Sequence, residues 1–335
     1  MATPMDRQDR MDRMDRLDRT DRPDRFDRTD RPDRLDRLDR PDRLDRLDRP
    51  DRLDRLDRQN RRRVLRVFID GPDPTAERIE RRLVGHPRTE VLRLEPAGNT
   101  SARRASMAAA DLTVLCRPAT EAPEAADLAG RAGSRILDLS SAHRTTCGWI
   151  YGLPELTRSQ RPRIMRGHAV AQPDGRAVAT ALLLRPLIAV GLLDAKSPCR
   201  IAGGAAGGDV LPEVVKWTRL AHKPEFEVNP LADDDIHVTI GHEASASLDA
   251  LRACLAEAHR DEQHLRVAAT AAGTTDATAL TLSVHPDTDG RVRLTARMPT
   301  ATDWVLDLTL RNINLMLGLP ENLGVAEEAR QPTAR

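Results

Sequence analysis

Downstream of residue 63 the chain alternates short apolar runs with stretches of helical spacing. Val64–Ile69 is an apolar run that stops at Asp70-Gly71, the pattern of a strand feeding a turn. Residues 75–84 then place Ile79 and Leu83 on one helical face, with Thr75 as the expected N-cap. Val91–Leu94, Leu112–Leu115 and Ile136–Leu139 are expected to be further strands, separated by alanine-rich helical stretches. Strands alternating with helices imply an α/β fold with a parallel, doubly wound sheet. Ligands of such sheets lie beyond the carboxyl ends of the strands.

The first 63 residues follow a different rule. From Asp6 to Arg58 the sequence is a triplet repeat, Asp-Arg-X, with prolines at positions 23, 32, 41 and 50. A period of three matches neither helix nor strand, so its leucines cannot line one buried stripe. Together with the regular prolines and alternating charges, this predicts a disordered tail over residues 1–63. The tail holds 21 Arg and 18 Asp, and the remaining chain holds 32 basic and 34 acidic residues. A slightly acidic body lacks the footprint of a nucleic-acid binder.

No apolar run reaches the ~18 residues of a membrane span, and the N-terminus has no apolar signal core. A cytoplasmic location is therefore expected, with neither membrane nor nucleic acid as partner. Cys116, Cys147, Cys199 and Cys254 show no zinc spacing, and the histidines at 168, 237, 242, 259, 264 and 285 show none with carboxylates. No metal is expected. Cys116 and Cys254, the latter beside Leu248, Leu251 and Leu255, read as core thiols.

The turn after the first strand reads Asp70-Gly71-Pro72-Asp73-Pro74-Thr75-Ala76-Glu77. A dinucleotide phosphate needs glycines and free N–H groups at this place. One glycine, two prolines and two carboxylates facing the phosphate predict a poor cofactor site, with Gly71 its remnant.

The segment from Ser134 to Leu156 contains Ser-Ala-His-Arg-Thr-Thr and then Gly-Trp-Ile-Tyr-Gly-Leu-Pro-Glu-Leu. With Leu182–Leu187, Gly191–Leu193 and Asn312–Leu319, it resembles the type 2 form of N-acetyl-γ-glutamyl-phosphate reductase. The resemblance runs from about Val64 to about Leu319. It implies a Rossmann-like nucleotide-binding domain over 64–172 and an α+β semialdehyde-dehydrogenase-type domain for catalysis and subunit contact over 173–300. A helix over 301–320 would pack back on the first domain, with a flexible tail over 321–335.

That family reduces an acyl phosphate to a semialdehyde with NADPH, through a cysteine thiolate and a histidine. The family cysteine lies in Asn-Pro-Gly-Cys at a helix start. Counted without gaps from Arg185-Pro186-Leu187, the matching stretch is Gln172-Pro173-Asp174-Gly175, which sets Gly175 against the cysteine. The family's substrate loop, with two serines and a lysine, corresponds to Ala202–Asp209, where Ala202 and Ala205 replace the hydroxyls and Asp209 the lysine. Its histidine motif is shortened to His222-Lys223-Pro224-Glu225, and its C-terminal cofactor loop is replaced by Ala301–Asp307.

These departures imply a catalytically silent relative with no expected cofactor, NADP being the family's. Such a chain would serve as a structural or regulatory partner in a homo- or hetero-oligomer of the same fold. Alternatives are an NADP-dependent reductase with a rebuilt site, using Cys147 or His222, and a ligand sensor or tail-driven assembly protein. His143 and Arg144 are the candidate substrate-binding residues. Trp149, Tyr151 and Glu155 read as packing and turn residues.

Overall fold

The computed structural model describes residues 63–72, 74–92, 99–196, 198–202, 210–227, 236–242, 246–268, 279–286, 292–298 and 301–325. The expectations for the repeat tail and for residues 203–209 and 326–335 fall outside them.

The first sheet has six strands, all parallel: β1 (Leu65–Asp70), β2 (Thr89–Leu92), β3 (Leu112–Leu115), β4 (Arg135–Asp138), β5 (Ile150–Tyr151) and β6 (Ala169–Ala171), in the order β2-β1-β3-β4-β6-β5. Alternation along β1 decides its two faces. Leu65 and Val67 join the core under helices α1 (Pro74–Val84) and α4 (Gln160–Arg166), whereas Phe68 points into the core of α2 (Thr100–Ala109) and α3 (Ala122–Arg131). Helices on both faces make this the doubly wound, Rossmann-like sheet expected.

The strands sit within two residues of their expected places, with β2 starting earlier, at Thr89 rather than Val91. Helix α1 begins at Pro74, so Thr75 lies inside it and is not the residue before the first turn. Proline suits that first position because its missing N–H has no intrahelical partner there anyway.

The second sheet is mixed. It contains β7 (Arg200–Ala202), β8 (Glu225–Glu227), β9 (Ile236–His242), β10 (Leu265–Ala268), β11 (Leu280–Pro286) and β12 (Val292–Met298), in the order β10-β11-β12-β9-β7-β8. Leu280, Leu282, Val284, Val292, Leu294, Ala296 and Met298 share one face of β11 and β12 and are all buried. They pack in one core with α5 (Gly175–Ala189), α6 (Leu211–Thr218) and α7 (Leu248–Ala258). Helix α5 is apolar nearly all round and buried along most of its length, which makes it the spine of this half.

Helix α8 (Ala301–Met316) serves both cores: Trp304 and Leu308 enter the second, and Leu306, Leu310, Ile313, Leu315 and Met316 the first. The residues just after it correct an expectation. Glu321 to Val325 were expected to begin a flexible tail, yet Glu321 accepts from Arg161 and Arg311 at 2.7 and 3.1 Å, and Val325 is buried. The Leu323 carbonyl also meets His86 and accepts from Asn314. Among the described residues no helix is long and apolar enough to cross a membrane.

Candidate functional site

Two polar clusters occupy the carboxyl ends of the parallel strands. The first lies where strand order reverses, between β1 and β3. Asp70, the last residue of β1, is buried, and two arginines grip its carboxylate. Arg103 of α2 donates from Nε and Nη2 at 3.0 and 2.6 Å, and Arg117, two residues past β3, from the same atoms at 2.9 and 3.0 Å. Burial alone would raise the Asp70 pKa, but the hydrogen bonds and charges of Arg117 and Arg103 hold it below the ordinary carboxylate value. The Asp70 charge is therefore already met within the chain by the two guanidiniums.

Gly71 adopts φ +138°, and a Cβ there would overlap the Cys116 carbonyl. The glycine lets the turn press against the end of β3. Its missing side chain is taken up by strand packing, and Pro72 has no N–H to offer. Among the described residues of this turn, Gly71 and Pro72 do not fit a nicotinamide dinucleotide's pyrophosphate.

The second cluster joins the first sheet to α5 and α6. Asp138 ends β4 and accepts from the Ser140 N–H and hydroxyl at 3.0 and 2.8 Å. It also hydrogen-bonds His143 Nδ1 at 2.6 Å, and the His143 ring stacks on Trp149 at 3.9 Å between centroids. Arg144 points inward. It donates to the Gln172 carbonyl at 2.9 Å, and its Nη1 lies 3.3 Å from Glu213 and 3.7 Å from Asp174. Both candidate substrate-binding residues are thus engaged within the chain.

Gly175 opens α5. Asp174 before it caps the helix through the Arg176 N–H at 2.9 Å and holds the Arg176 guanidinium at 3.0 and 3.1 Å. Burial pushes the Asp174 pKa up, but these contacts and Arg144 leave it below its ordinary value. Behind it, Glu213 of α6 accepts from the Tyr151 hydroxyl at 2.8 Å and from the Asp174 N–H at 2.9 Å. Burial lifts Glu213 to about 7, although Arg144 opposes the rise. Trp217 covers the group, stacking on Tyr151 at 4.3 Å and donating its indole N–H to the Arg144 carbonyl.

The remaining candidates stand apart from this cluster. His222 is exposed in the connection between α6 and β8. Cys147 is exposed in the turn before β5, Cys116 and Cys199 are buried, and burial raises the Cys199 pKa to about 12. Glu155 and Tyr151, read as packing and turn residues, are buried, but Glu155 is ion-paired with Arg311 and the Tyr151 hydroxyl is bound to Glu213. Sequence reading passed over Asp138, Asp174, Glu213, Arg103 and Arg117. The available signal was a carboxylate ending an apolar strand (Asp70, Asp138) or set between apolar residues of a helix, as in Leu-Pro-Glu-Val-Val.

Residues 79–162 match the family model described as semialdehyde dehydrogenase, NAD binding domain. An N-acetyl-gamma-glutamyl-phosphate reductase of Burkholderia orbicola is 30% identical over 303 residues, covering 75% of this chain and 97% of that protein. The chain belongs to the N-acetyl-γ-glutamyl-phosphate reductase family. N-acetyl-gamma-glutamyl-phosphate reductase 2 of Pseudomonas putida is 36% identical over 178 residues, a match that spans 51% of this chain and 57% of that relative. Among solved structures, aspartate semialdehyde dehydrogenase with NADP from Candida albicans aligns with TM-score 0.54 at 12% identity, over 75% of this chain and 99% of that one. The Vibrio cholerae aspartate semialdehyde dehydrogenase II aligns with TM-score 0.52 at 12% identity, over 76% and 98%. The fold is that of the semialdehyde dehydrogenases, and the matching family model is that of a NAD binding domain.

Proposed function

We propose that this chain is a catalytically silent member of the reductase family, retained as a structural or regulatory partner in an oligomer of the same fold. The observation that carries this reading is at the start of α5. Gly175, the position counted against the family's cysteine, has no side chain to form a thioester, and its neighbours are two carboxylates, Asp174 and Glu213. The cations at this helix start are already engaged: Arg144 serves those carboxylates and a carbonyl, and Arg176 is held by Asp174. Substrate and cofactor phosphates would each meet arginines already paired with carboxylates. The family's nicotinamide cofactor is accordingly not part of this chain's function, and neither a membrane nor nucleic acid is its partner.

The test is NADPH oxidation with N-acetyl-γ-glutamyl phosphate, run on wild type, Gly175→Cys and Cys147→Ala beside an authentic reductase. Loss of a covalent nucleophile costs turnover about a million-fold, so wild type is expected to show none. Wild-type turnover above background ends the silent reading.

A second reading has one observation in its favour. The Asp138–His143 hydrogen bond fixes the imidazole so that Nε2 faces away from the acid, the arrangement of an oriented base. A rebuilt acyl-phosphate reductase using Cys147, exposed in the turn before β5, would show turnover that vanishes in Cys147→Ala.

A further inference from the structure

Residues 320–325, beyond α8, bridge both halves of the chain. Glu321 accepts from Arg161 of α4 and Arg311 of α8, while Arg161 also grips Glu262, beyond α7, at 3.0 and 2.6 Å. Asn322 meets His264 Nε2 at 2.8 Å and donates to Gln263 at 2.8 Å, both just before β10. The chain then returns to the first sheet. The Leu323 carbonyl accepts from Asn314 at 2.8 Å and lies 3.1 Å from His86 Nε2, and Val325 is buried in that sheet's core.

His86, between α1 and β2, is set between a donor and an acceptor. The Arg88 N–H donates to its Nδ1 at 3.3 Å, so the ring proton sits on Nε2 and faces the Leu323 carbonyl. Only the neutral ring satisfies both, since a protonated Nδ1 would confront the Arg88 N–H. Nor has the ring room to turn: a Cβ on Gly324, which adopts φ +71°, would meet it at 2.5 Å. Around it stand Arg88, Asn314 of α8 and the 320–325 segment. Burial and then the Arg88 charge hold its pKa below the ordinary value, although the bonds to Leu323 and Asn314 oppose the fall. His264 differs. Burial and Arg311 lower its pKa too, but protonation leaves its Nε2 donor intact, and Glu155, Glu321 and Asp307 act on it as counter-charges.

We propose that residues 320–325 form a strap that acid releases, with His86 as its proton sensor. Protonation removes the acceptor for the Arg88 N–H and sets a second cation beside Arg88. The ring then leaves its slot, and the Leu323 carbonyl and Gly324 lose their seat. An opened strap draws Glu321 off Arg161 and Arg311, which loosens the junction between the two sheets. The closed strap holds the neutral ring, so its advantage is complete above the ordinary histidine value of 6.5 and is lost as pH falls below it. No turnover is involved, so the device stands apart from the silent reading.

The experiment is hydrogen exchange of the full chain at about pH 7.5 and about pH 5, read by mass spectrometry. Each rate is referred to a free peptide of the 317–335 sequence, which cancels the intrinsic effect of pH. Protection of the Leu323 and Val325 amides, bonded to the Pro320 and Asn322 carbonyls, should fall at least about five-fold in wild type. The amides of β3 should keep theirs. His86→Gln retains a donor for Leu323 but gains no proton, so its strap protection should change by less than about two-fold. His264→Gln should lose protection as wild type does. Should His86→Gln not fold, NMR titration of the His86 ring in wild type decides, with a midpoint below 6.5 that coincides with strap opening. Wild-type protection that acid leaves unchanged, equal loss in His86→Gln or in β3, or a His86 midpoint apart from the opening would overturn the proposal.

Discussion

The Tyr151 hydroxyl donates to Glu213 across 2.8 Å, joining the last residue of β5 in the first sheet to helix α6 beneath the second. Burial and the neighbouring Glu213 raise the tyrosine's pKa well above its ordinary value, so the phenol stays protonated and remains the donor. Glu213 itself is the group that titrates.

Its folded-state pKa is raised from 4.5 to about 7 by burial, with Asp174 adding to the rise and Arg144 opposing it. Between those values the folded state holds more protons than the unfolded, so this group's contribution to stability falls as pH rises from 4.5 to 7. The loss is on the order of 3 kcal/mol at most. Glu213→Gln cannot ionise and should escape it. The Tm of the variant minus that of wild type should grow by roughly 5 °C between about pH 5 and about pH 8. A difference that stays flat across that range would show that Glu213 does not titrate there.

The first sheet was legible because its strands are short apolar runs bounded by turn residues, and β3 falls on Leu112–Leu115 as read. The site was legible only where a motif carried it. His143 and Arg144 stood out in their turn, but the acids that engage them come from β4, the α5 cap and α6, far apart in the chain. Periodicity reports which face is buried and not which distant carboxylate meets which arginine. Asp70 shows the limit best. Alone it reads as a charge hostile to phosphate, and only the fold brings Arg103 and Arg117 to meet that charge within the chain.

Arg135 should be a stability residue. Its guanidinium donates to the carbonyls of Met165 and Gly167 at the end of α4 and to that of Met316 at the end of α8. It completes two helix termini whose last carbonyls lack intrahelical partners. Replacement by Met should cost about 2–4 kcal/mol in chemical denaturation, since hydrogen bonds to a charged group contribute about 1.5–3 kcal/mol each and the removals overlap. Lysine keeps the charge but not the planar fork, so Arg135→Lys should recover less than half of the loss. Full recovery would mean that the charge alone matters.

Arg311 and Glu155 form an ion pair in which both side chains are 1% exposed. Burial works against the Glu155 carboxylate, but Arg311 and Arg161 hold its pKa below the ordinary value. Arg311→Met strands a buried carboxylate and should cost about 3–5 kcal/mol, whereas Arg311→Met with Glu155→Gln should cost less than the single change. A double variant less stable than Arg311→Met would show that Glu155 earns its place through contacts other than this arginine.

NADPH should bind weakly. Asp70 fills the switch-point arginines, Gly71 is pressed onto Cys116, and Pro72 supplies no donor. A dissociation constant of about 1 mM or weaker is expected, only about −4 kcal/mol of binding. Calorimetry giving micromolar affinity would show that the cofactor takes another path through the domain.

A thiol restored at position 175 should remain unactivated. A helix N-terminus normally favours a thiolate, and catalytic cysteines gain from cations beside them. At α5 that advantage is offset: Asp174 occupies the cap, Glu213 lies behind it, and Arg144 and Arg176 are engaged by these acids. Two carboxylates near a sulfur disfavour its negative form. Gly175→Cys should therefore alkylate with iodoacetamide along a pH profile whose midpoint is about 8.5 or higher, after subtraction of the wild-type cysteines. Adding Asp174→Asn should lower that midpoint, because it removes the nearer charge and releases Arg176. A midpoint below about 7 in Gly175→Cys alone would mean that the helix start still favours a thiolate, and the silent reading would then lose its electrostatic support.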